Sequence, residues 1–412
     1  MLYNEDLSGG AKMKKILIMN AGSSSVKWKL FEDLTEKVIA AGLIERINMA
    51  NSISTVKYEG KKATESHECL SYPAAAELIF SQLKSFNFVK DLSEISAVGH
   101  RIVAGSTLFR QATLMTQEKI AELKQLDDFA PLHNPTEVKY VELVQRQLPG
   151  IPQYAVFDSQ FFTNLPEVNA IYSLPYQYTQ KFGIRRYGEH GISHDYISRR
   201  AALLLKKPYE NLKLITLHLG SGASIAAEKS GRAFDTSMGF APLTGLTMGT
   251  RAGDTDPSII PYLMKKLGCS VEEVMQILNQ KSGLLGISEL SPDMRDLIAA
   301  KDQPQAKLAV EIFINRIVKY VGAYYTELGG VDALIFAGGI GENNAFLRQE
   351  IIKRLAVLGL KLDEKLNRVG NEGIISNPAS VAKVLIVPTD EELSMVQQIK
   401  QQEETKKNEI SC

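Results

Sequence analysis

Cysteine is scarce, charge is balanced and long apolar runs are missing from these 412 residues. Cys69, Cys269 and Cys412 are too few and too scattered for a disulfide framework or a cysteine-based zinc site, so a reducing cytoplasm is expected. Lys+Arg and Asp+Glu both total 47. That zero balance removes the electrostatic case for a nucleic-acid or acidic-membrane partner, because such surfaces need an excess of cations. Any anionic ligand must then be held by local groups. No window approaches the ~18 consecutive apolar residues of a membrane helix. The segment from Met1 to Lys15 contains Glu5 and Asp6 and lacks the apolar stretch of a secretory signal. A soluble protein is expected, with residues 1–12 as an extension before Met13. There is no Gly-x-x-x-x-Gly-Lys-Ser/Thr loop, and Gly338 to Asn344 lacks the third glycine of a dinucleotide fingerprint. Neither HExxH nor paired CxxC spacing occurs, which disfavours zinc.

What is present begins with two similar hairpins. A short apolar strand from Lys14 to Ile18 leads into Asn20-Ala21-Gly22-Ser23-Ser24-Ser25, and Val26 to Leu30 then alternates its faces. The pattern returns with Leu214 to Leu219, Gly220-Ser221-Gly222-Ala223-Ser224 and Ile225 to Ala227. Placing Ser25 on Ser224 superposes the two, as a duplicated nucleotide-binding fold would require; a chance match of short hairpins stays open on pattern alone. Helical stretches follow each hairpin, including Pro135 to Gln147, Ser193 to Lys206 with Ser193 as N-cap, and the long amphipathic run Gln305 to Leu328. Asp332 to Phe336 reads as a buried strand feeding Gly338 to Asn344. Hairpins mixed with βα units predict an α/β protein with mixed sheets. The expected division is residues 13–160 plus 389–412 in one domain and 161–388 in another, in close contact across a cleft.

Three blocks carry candidate chemistry. Turns Asn20 to Ser25, Gly220 to Ser224 and Gly338 to Asn344 each follow an apolar strand, where backbone N–H groups and hydroxyls can surround phosphate oxygens. Each alone is an ordinary turn or helix entry; together they point to phosphate. Five of the six histidines lie in short polar blocks beside Arg, Gly or Pro: Gly99-His100-Arg101, Pro131 to Pro135, Arg185 to His194, and His218. The third block, Asp235 to Pro257, is irregular yet retains apolar residues, which favours an ordered functional loop.

In these residues the chain resembles the acetate and propionate kinases, within the superfamily of acetate and sugar kinases, heat-shock chaperones and actin. The matching blocks are Asn20 to Lys27, Gly99-His100-Arg101, Ala130 to Pro135, Val156-Phe157-Asp158, Arg185 to His194, His218-Leu219-Gly220, Asp235 to Pro257, Gly338 to Asn343 and Pro388 to Glu392. They run in family order from Lys14 to about Ile399. The resemblance implies duplicated actin-like, ribonuclease H-like domains and reversible phosphoryl transfer from ATP to a short-chain carboxylate, giving an acyl phosphate.

The resemblance also implies roles. Arg101 would hold the carboxylate; Arg251 and His190 the transferring phosphoryl group; Asp158 would organise charge at the reaction centre. Val103, Leu132, His133, Glu189 and Pro242 would border the acyl group. Ser23, Ser25 and Lys27 would serve the first phosphate turn, and His218, Leu219, Gly220, Ser221 and Gly222 the second. Asp293, Met294, Arg295, Gly339, Ile340, Gly341, Glu342 and Asn343 would hold the nucleotide. Asn20 and Glu391 would associate with Mg2+, or Mn2+ in its place, both being hard oxygen donors. ATP and the carboxylate are the expected partners, with a homodimer implied by the family and no nucleic acid or membrane.

Four departures from the family pattern stand out. Ala104 and Phe162 replace histidines, Ser221 replaces an asparagine, and Glu189 replaces a phenylalanine that helps close the acyl pocket. A second carboxylate about 5 Å from a bound acetate would repel it by roughly 3 kcal/mol at an effective dielectric of 20, near a hundredfold in affinity. Glu189 turned to solvent or paired with Arg185 or Arg186 would do no such thing. The rival readings are a propionate or other short-chain acyl kinase and, from another class, an actin-like ATP-binding protein without carboxylate transfer.

Overall fold

The computed structural model describes residues 14–127 and 133–410, without the side chains of Glu409 and Ile410. The expected extension 1–12 and Pro131 and Leu132 lie outside the described residues. Two units divide the chain: residues 14–105, 111–127, 133–157 and 392–410 form the first, and 106–110 with 158–391 the second.

In the first unit eight strands form one mixed sheet: β1 (Lys15–Ala21), β2 (Ser25–Glu32), β3 (Val38–Glu45), β4 (Ala50–Tyr58), β5 (Lys61–Cys69), β6 (Ile95–Ile102), β7 (Thr113–Leu114) and β8 (Gln153–Phe157), ordered β5-β4-β3-β2-β1-β6-β8-β7. The first five meander antiparallel, while β6 runs parallel to β1 and β8 parallel to β6. Period-two alternation sends Leu17, Met19, Trp28 and Leu30 to one face, where they pack with Ile79 and Leu83 of helix Tyr72–Ser85. On the other face lie Ile18 and Phe31, both fully buried. Helix Glu391–Ile410 covers this face: at Gly99 a side chain would meet Ile18 at 2.6 Å and Ile399 at 2.7 Å, so only glycine lets the helix this close. Lys400 secures the helix through the Asp33 carbonyl and the Glu36 carboxylate; burial would raise Glu36, but bonds from Gln397 and Lys400 together hold its pKa below the usual range.

The second unit repeats the plan with β9 (Lys213–Leu219), β10 (Ala223–Lys229), β11 (Arg232–Thr236), β12 (Ala333–Ala337), β13 (Gly373–Ile374) and β14 (Lys383–Ile386), ordered β11-β10-β9-β12-β14-β13. Again three antiparallel strands are followed by two parallel additions, β12 and β14. Helix Pro304–Leu328 lays Phe313, Ile317 and Val321 against Ile215, Leu217 and Ile225 on one face. Helix Gly191–Leu205 lays Ile197 and Ala201 against Leu214 and Ile335 on the other. The run β3-β2-β1-β6-β8 and the run β11-β10-β9-β12-β14 share one topology, so the protein is an α/β fold of duplicated actin-like sheets flanked by helices.

The duplication holds, but not with Ser25 on Ser224. Four residues separate the paired Ala21 and Val26, whereas three separate Leu219 and Ala223, so no single shift superposes both strands. The turn bonds give the register: Gly22 N–H donates to Ser25 O and Gly220 N–H to Gly222 O. Gly22 therefore matches Gly220 and Ser25 matches Gly222.

Candidate active site

In the first unit, the β1–β2 turn is pinned by the Gly22 to Ser25 bond of 2.8 Å, by Ile47 N–H to Ser24 O at 2.9 Å and by Tyr72 OH on Gly22 O. That leaves Ser23 and Lys27 exposed and Ser25 half-buried, with Asn20 opposite Lys27 in the ladder. Arg101 is the half-buried penultimate residue of β6. The chain leaving β6 is held by helix Asn134–Gln147: Val103 N–H donates to Glu137 at 3.0 Å, and Ala104 exchanges two bonds with the Asn134 side chain. His133 stands at the N-cap of that helix. Leu132 lies outside the described residues.

In the second unit the helix of the histidine block begins at Gly191, earlier than Ser193. His190 takes the N-cap in the left-handed region with φ 59°. Gly191 makes this start possible, because its N–H donates to Asp158 O at 2.8 Å and a Cβ there would fall 2.3 Å from that oxygen. The backbone of buried Asp158 thereby lies against the residue that follows half-buried His190. Instead of capping, Ser193 Oγ bonds both His218 Nδ1 and Thr389 Oγ1 at 2.7 Å. The His190 and His218 rings lie 4.4 Å apart, and His190 Nδ1 is 2.9 Å from Ser224 Oγ.

One turn links these histidines to a cleft. His190 Nε2 lies 3.2 Å from where a Cβ of Gly222 would stand. On the other side of the turn, Gly220 and Ser221 line a cleft of roughly 520 Å3 with Pro292, Asp293, Met294, Arg295, Gly339, Ile340, Asn343 and Asn344. Half of the residues expected at the nucleotide and its phosphates thus share one concavity of a size suited to a small ligand. Arg295 folds back on Asp293, holding that carboxyl at about 2, below the usual range. Gly341 is buried, and Glu342 turns its carboxylate to Gly338 N–H and Thr389 N–H, so neither lines the cleft.

The irregular block is ordered by its own polar groups. Asp254 accepts from Gly245 N–H at 2.9 Å and from Tyr320 OH at 2.7 Å. Gly249 N–H donates to Ser221 O at 2.9 Å, which seats the block on the Gly220–Gly222 turn. Arg251 Nη1 donates to the Pro242 carbonyl at 3.2 Å, so two of the expected site residues meet. Burial raises the Asp235 carboxyl to about 6, although Arg186 at 3.9 Å opposes the shift. Glu189 is half-buried, one residue before His190.

Asn20 and Glu391 offer an amide and a carboxylate oxygen, the hard donors that Mg2+ accepts alongside water and phosphate. Among the described residues no group of three or more His, Cys, Asp or Glu could hold a metal ion. Two such donors would leave most of an Mg2+ shell to water and phosphate.

Several contributors escaped sequence reading. Pro292 lines the cleft together with Asn344, the last residue of the expected Gly338 to Asn344 turn. Arg348 is fully buried and binds the carbonyls of Gly341, Glu342 and Arg368 and the Asn367 side chain, fixing the end of helix Gly338–Asn343. In sequence it is one more arginine on an amphipathic helix. Thr216, Ser224 and Glu228 are wholly buried polar residues of β9 and β10; Thr216 lies inside the expected apolar strand, Ser224 in the expected turn and Glu228 just past the expected strand end. The Phe162 departure has a packing reason: the ring is fully buried, edge-on to His194 at 5.9 Å and clustered with Leu165, Ala226 and Ala233.

The model of the acetokinase family matches residues 15–397. The chain is 50% identical over 390 residues to acetate kinase 1 of Latilactobacillus sakei, covering 94% of this chain and 99% of that protein. A crystal structure of Porphyromonas gingivalis acetate kinase superposes with a TM-score of 0.90 at 41% identity, covering 94% of this chain and 99% of that one. A propionate kinase from Francisella tularensis superposes with a TM-score of 0.89 at 41% identity over the same shares.

Proposed function

Because this chain belongs to the acetokinase family, we propose that it transfers a phosphoryl group reversibly between ATP and acetate, giving acetyl phosphate and ADP. The observation that carries the reading is the Gly220–Gly222 turn, which borders the cleft on one side and meets His190 on the other. A phosphate chain leaving the cleft along that turn would bring its end to the histidine.

The chemistry asks little in the way of proton removal. A carboxylic acid of pKa about 4 to 5 is already ionised at neutral pH, so the nucleophile needs no general base. The difficulty is setting one anion against another and stabilising the equatorial oxygens of the phosphoryl group in flight, work for preorganised cations. Arg101 takes the carboxylate. Arg251, anchored through the Pro242 carbonyl, and His190, anchored on Ser224, take the phosphoryl oxygens. Asp158 positions and organises charge. Asn20 and Glu391 would hold Mg2+, or Mn2+, which supplies neutralisation of phosphate charge. Val103, His133, Glu189 and Pro242 border the acyl group. The same reading makes the protein a cytoplasmic homodimer without nucleic-acid or membrane partners; among the described residues no helix is long and apolar enough to cross a membrane.

The second reading is a propionate or other short-chain acyl kinase, favoured by the carboxylate of Glu189 beside His190. One methylene changes binding by only ~1–3 kcal/mol. A hydroxylamine trap run with ATP, Mg2+ and formate, acetate, propionate, butyrate or hydroxylated acids tests both. Hydroxamate formed best from acetate is expected. Best turnover of a longer acid selects the second reading, and ATP hydrolysis indifferent to every acid overturns both.

A further inference from the structure

The second unit buries a continuous hydrogen-bonded chain running from His190 to a carboxylate. His190 Nδ1 lies 2.9 Å from Ser224 Oγ, Ser224 Oγ 2.8 Å from His194 Nε2, His194 Nδ1 2.7 Å from Thr216 Oγ1, and Thr216 Oγ1 2.8 Å from Glu228 Oε1. Ser224, His194, Thr216 and Glu228 are all 0% exposed. Glu228 accepts further bonds from Ser198 Oγ and Tyr209 OH, each at 2.7 Å. The other charged groups bearing on it are Asp195 and Arg199, themselves joined at 2.8 Å. The fold does not require this chain: the first unit, at the places of Thr216 and Glu228, carries fully buried Ile18 and Phe31.

We propose that Glu228 is a positioning residue for His190, its carboxylate dictating through Thr216, His194 and Ser224 which ring nitrogen of His190 carries the anchored proton. An ionised carboxylate can only accept, so Thr216 must donate to it. The Thr216 oxygen then accepts Nδ1–H of His194. His194 is neutral, because burial and the neighbouring His218 hold its pKa well below the usual value. Its Nε2 is therefore bare and accepts from the Ser224 hydroxyl, whose oxygen accepts Nδ1–H of His190. Nε2 of His190 is left as the nitrogen facing the Gly220–Gly222 turn. A second proton there makes an imidazolium whose counter-charge is Glu228 at the far end of the chain. Burial lifts Glu228 to about 7. From the imidazolium state one proton can pass to Glu228 and reverse every bond: the His190 imidazolium gives up its Nδ1 proton, each intermediate group passes one on, and His190 is left neutral with Nε2–H. This role rests on the reading of His190 as a phosphoryl ligand, but the tautomers exist without substrate and are measured without it.

Nitrogen-15 histidine spectra of the full chain at about pH 8.5, above the transition of Glu228, test the order of the chain. His194 is expected neutral with its proton on Nδ1, and His190 with Nδ1 protonated. Thr216→Val removes the hydroxyl at nearly constant volume and should move both protons to Nε2, leaving His100 of the first unit unchanged; Thr216→Ser should restore them. His194 found with its proton on Nε2 in the unmodified chain, or His190 unmoved in Thr216→Val, overturns the proposal whether or not hydroxamate forms. Glu228→Gln should lower kcat roughly tenfold to a hundredfold with little change in KM, as loss of an orienting partner does, and should shift the pH profile. An unshifted profile also overturns it. The expected tautomers in a protein that makes no hydroxamate would retain the relay and overturn only the proposed reaction.

Discussion

The same sheet face is covered twice in this molecule, with opposite chemistry. In the first unit Ile18 and, from helix Glu391–Ile410, Met395 and Ile399 close around Gly99, with Phe31 fully buried on the same face, an apolar contact close enough to need that glycine. In the second unit the matching strand positions are Thr216 and Glu228, and helix Gly191–Leu205 answers with His194 and Ser198. Apolar burial is non-directional and stabilises in proportion to area. A buried polar chain adds little net stability and is costly when broken, yet it fixes orientation. One copy of the fold therefore uses this face for cohesion, and the other uses it to aim a histidine.

If that contrast is right, the two units fail differently. Arg251→Ala should lower the hydroxamate-forming kcat by about 10^2 to 10^3, as loss of a transition-state donor does, with an unchanged melting temperature, since among the described residues its side chain forfeits one bond, to the Pro242 carbonyl. A fall in melting temperature matching the fall in activity would make Arg251 structural instead. Ile399→Ala should do the reverse, costing about 2–4 kcal/mol of stability in urea unfolding while kcat per folded molecule stays within roughly twofold.

Buried titratable groups sharpen the comparison through pH. In the first unit His100 is buried and paired with Gln153 at 2.7 Å, and desolvation lowers it from 6.5 to about 4. The unfolded chain then binds more protons below pH 6.5, so this contribution is present above 6.5 and lost as pH falls toward 4. Glu228 is raised from 4.5 to about 7, so its contribution has the opposite slope: present below 4.5 and lost as pH rises through 7. Each is worth on the order of 3 kcal/mol at most. Urea titrations from acid to neutral pH should show His100→Gln flattening the acid limb and Glu228→Gln the other; identical pH curves for both variants and the parent would remove the distinction. The smallest expected effect concerns substrate rather than fold. Glu189→Phe should lower the KM for acetate by roughly tenfold to a hundredfold through relief of like-charge repulsion, and an unchanged KM would place the Glu189 carboxylate away from the acyl group.

Much of the fold was legible locally. The hairpins at Asn20 and Gly220, the helix Pro304–Leu328 and the strand before Gly338 announce themselves by periodicity and small-residue turns. The cleft was legible in part: Gly339 to Asn343 lie in a small-residue turn after a strand, whereas Asp293 to Arg295 were pointed to only by the family resemblance. Helix starts were less legible. Ser193 is a plausible cap by residue type, but the Asp158 carbonyl, distant in sequence, takes the Gly191 N–H and moves the start forward. Glu228 gave no signal, falling just past the strand expected to end at Ala227, and only the packing of helix Gly191–Leu205 and Tyr209 over it reveals a buried carboxylate.

By itself, then, the sequence determined what short-range chemistry can encode: two hairpins of one design, an α/β alternation, and the residue types that handle phosphate and carboxylate. Only the tertiary structure decided which polar groups are buried and whom they bond. Hydrogen-bond partners such as His194 and Glu228 are set by the approach of separate elements, and burial, not residue type, decides whether a carboxylate is a surface charge or the counter-charge of a distant histidine.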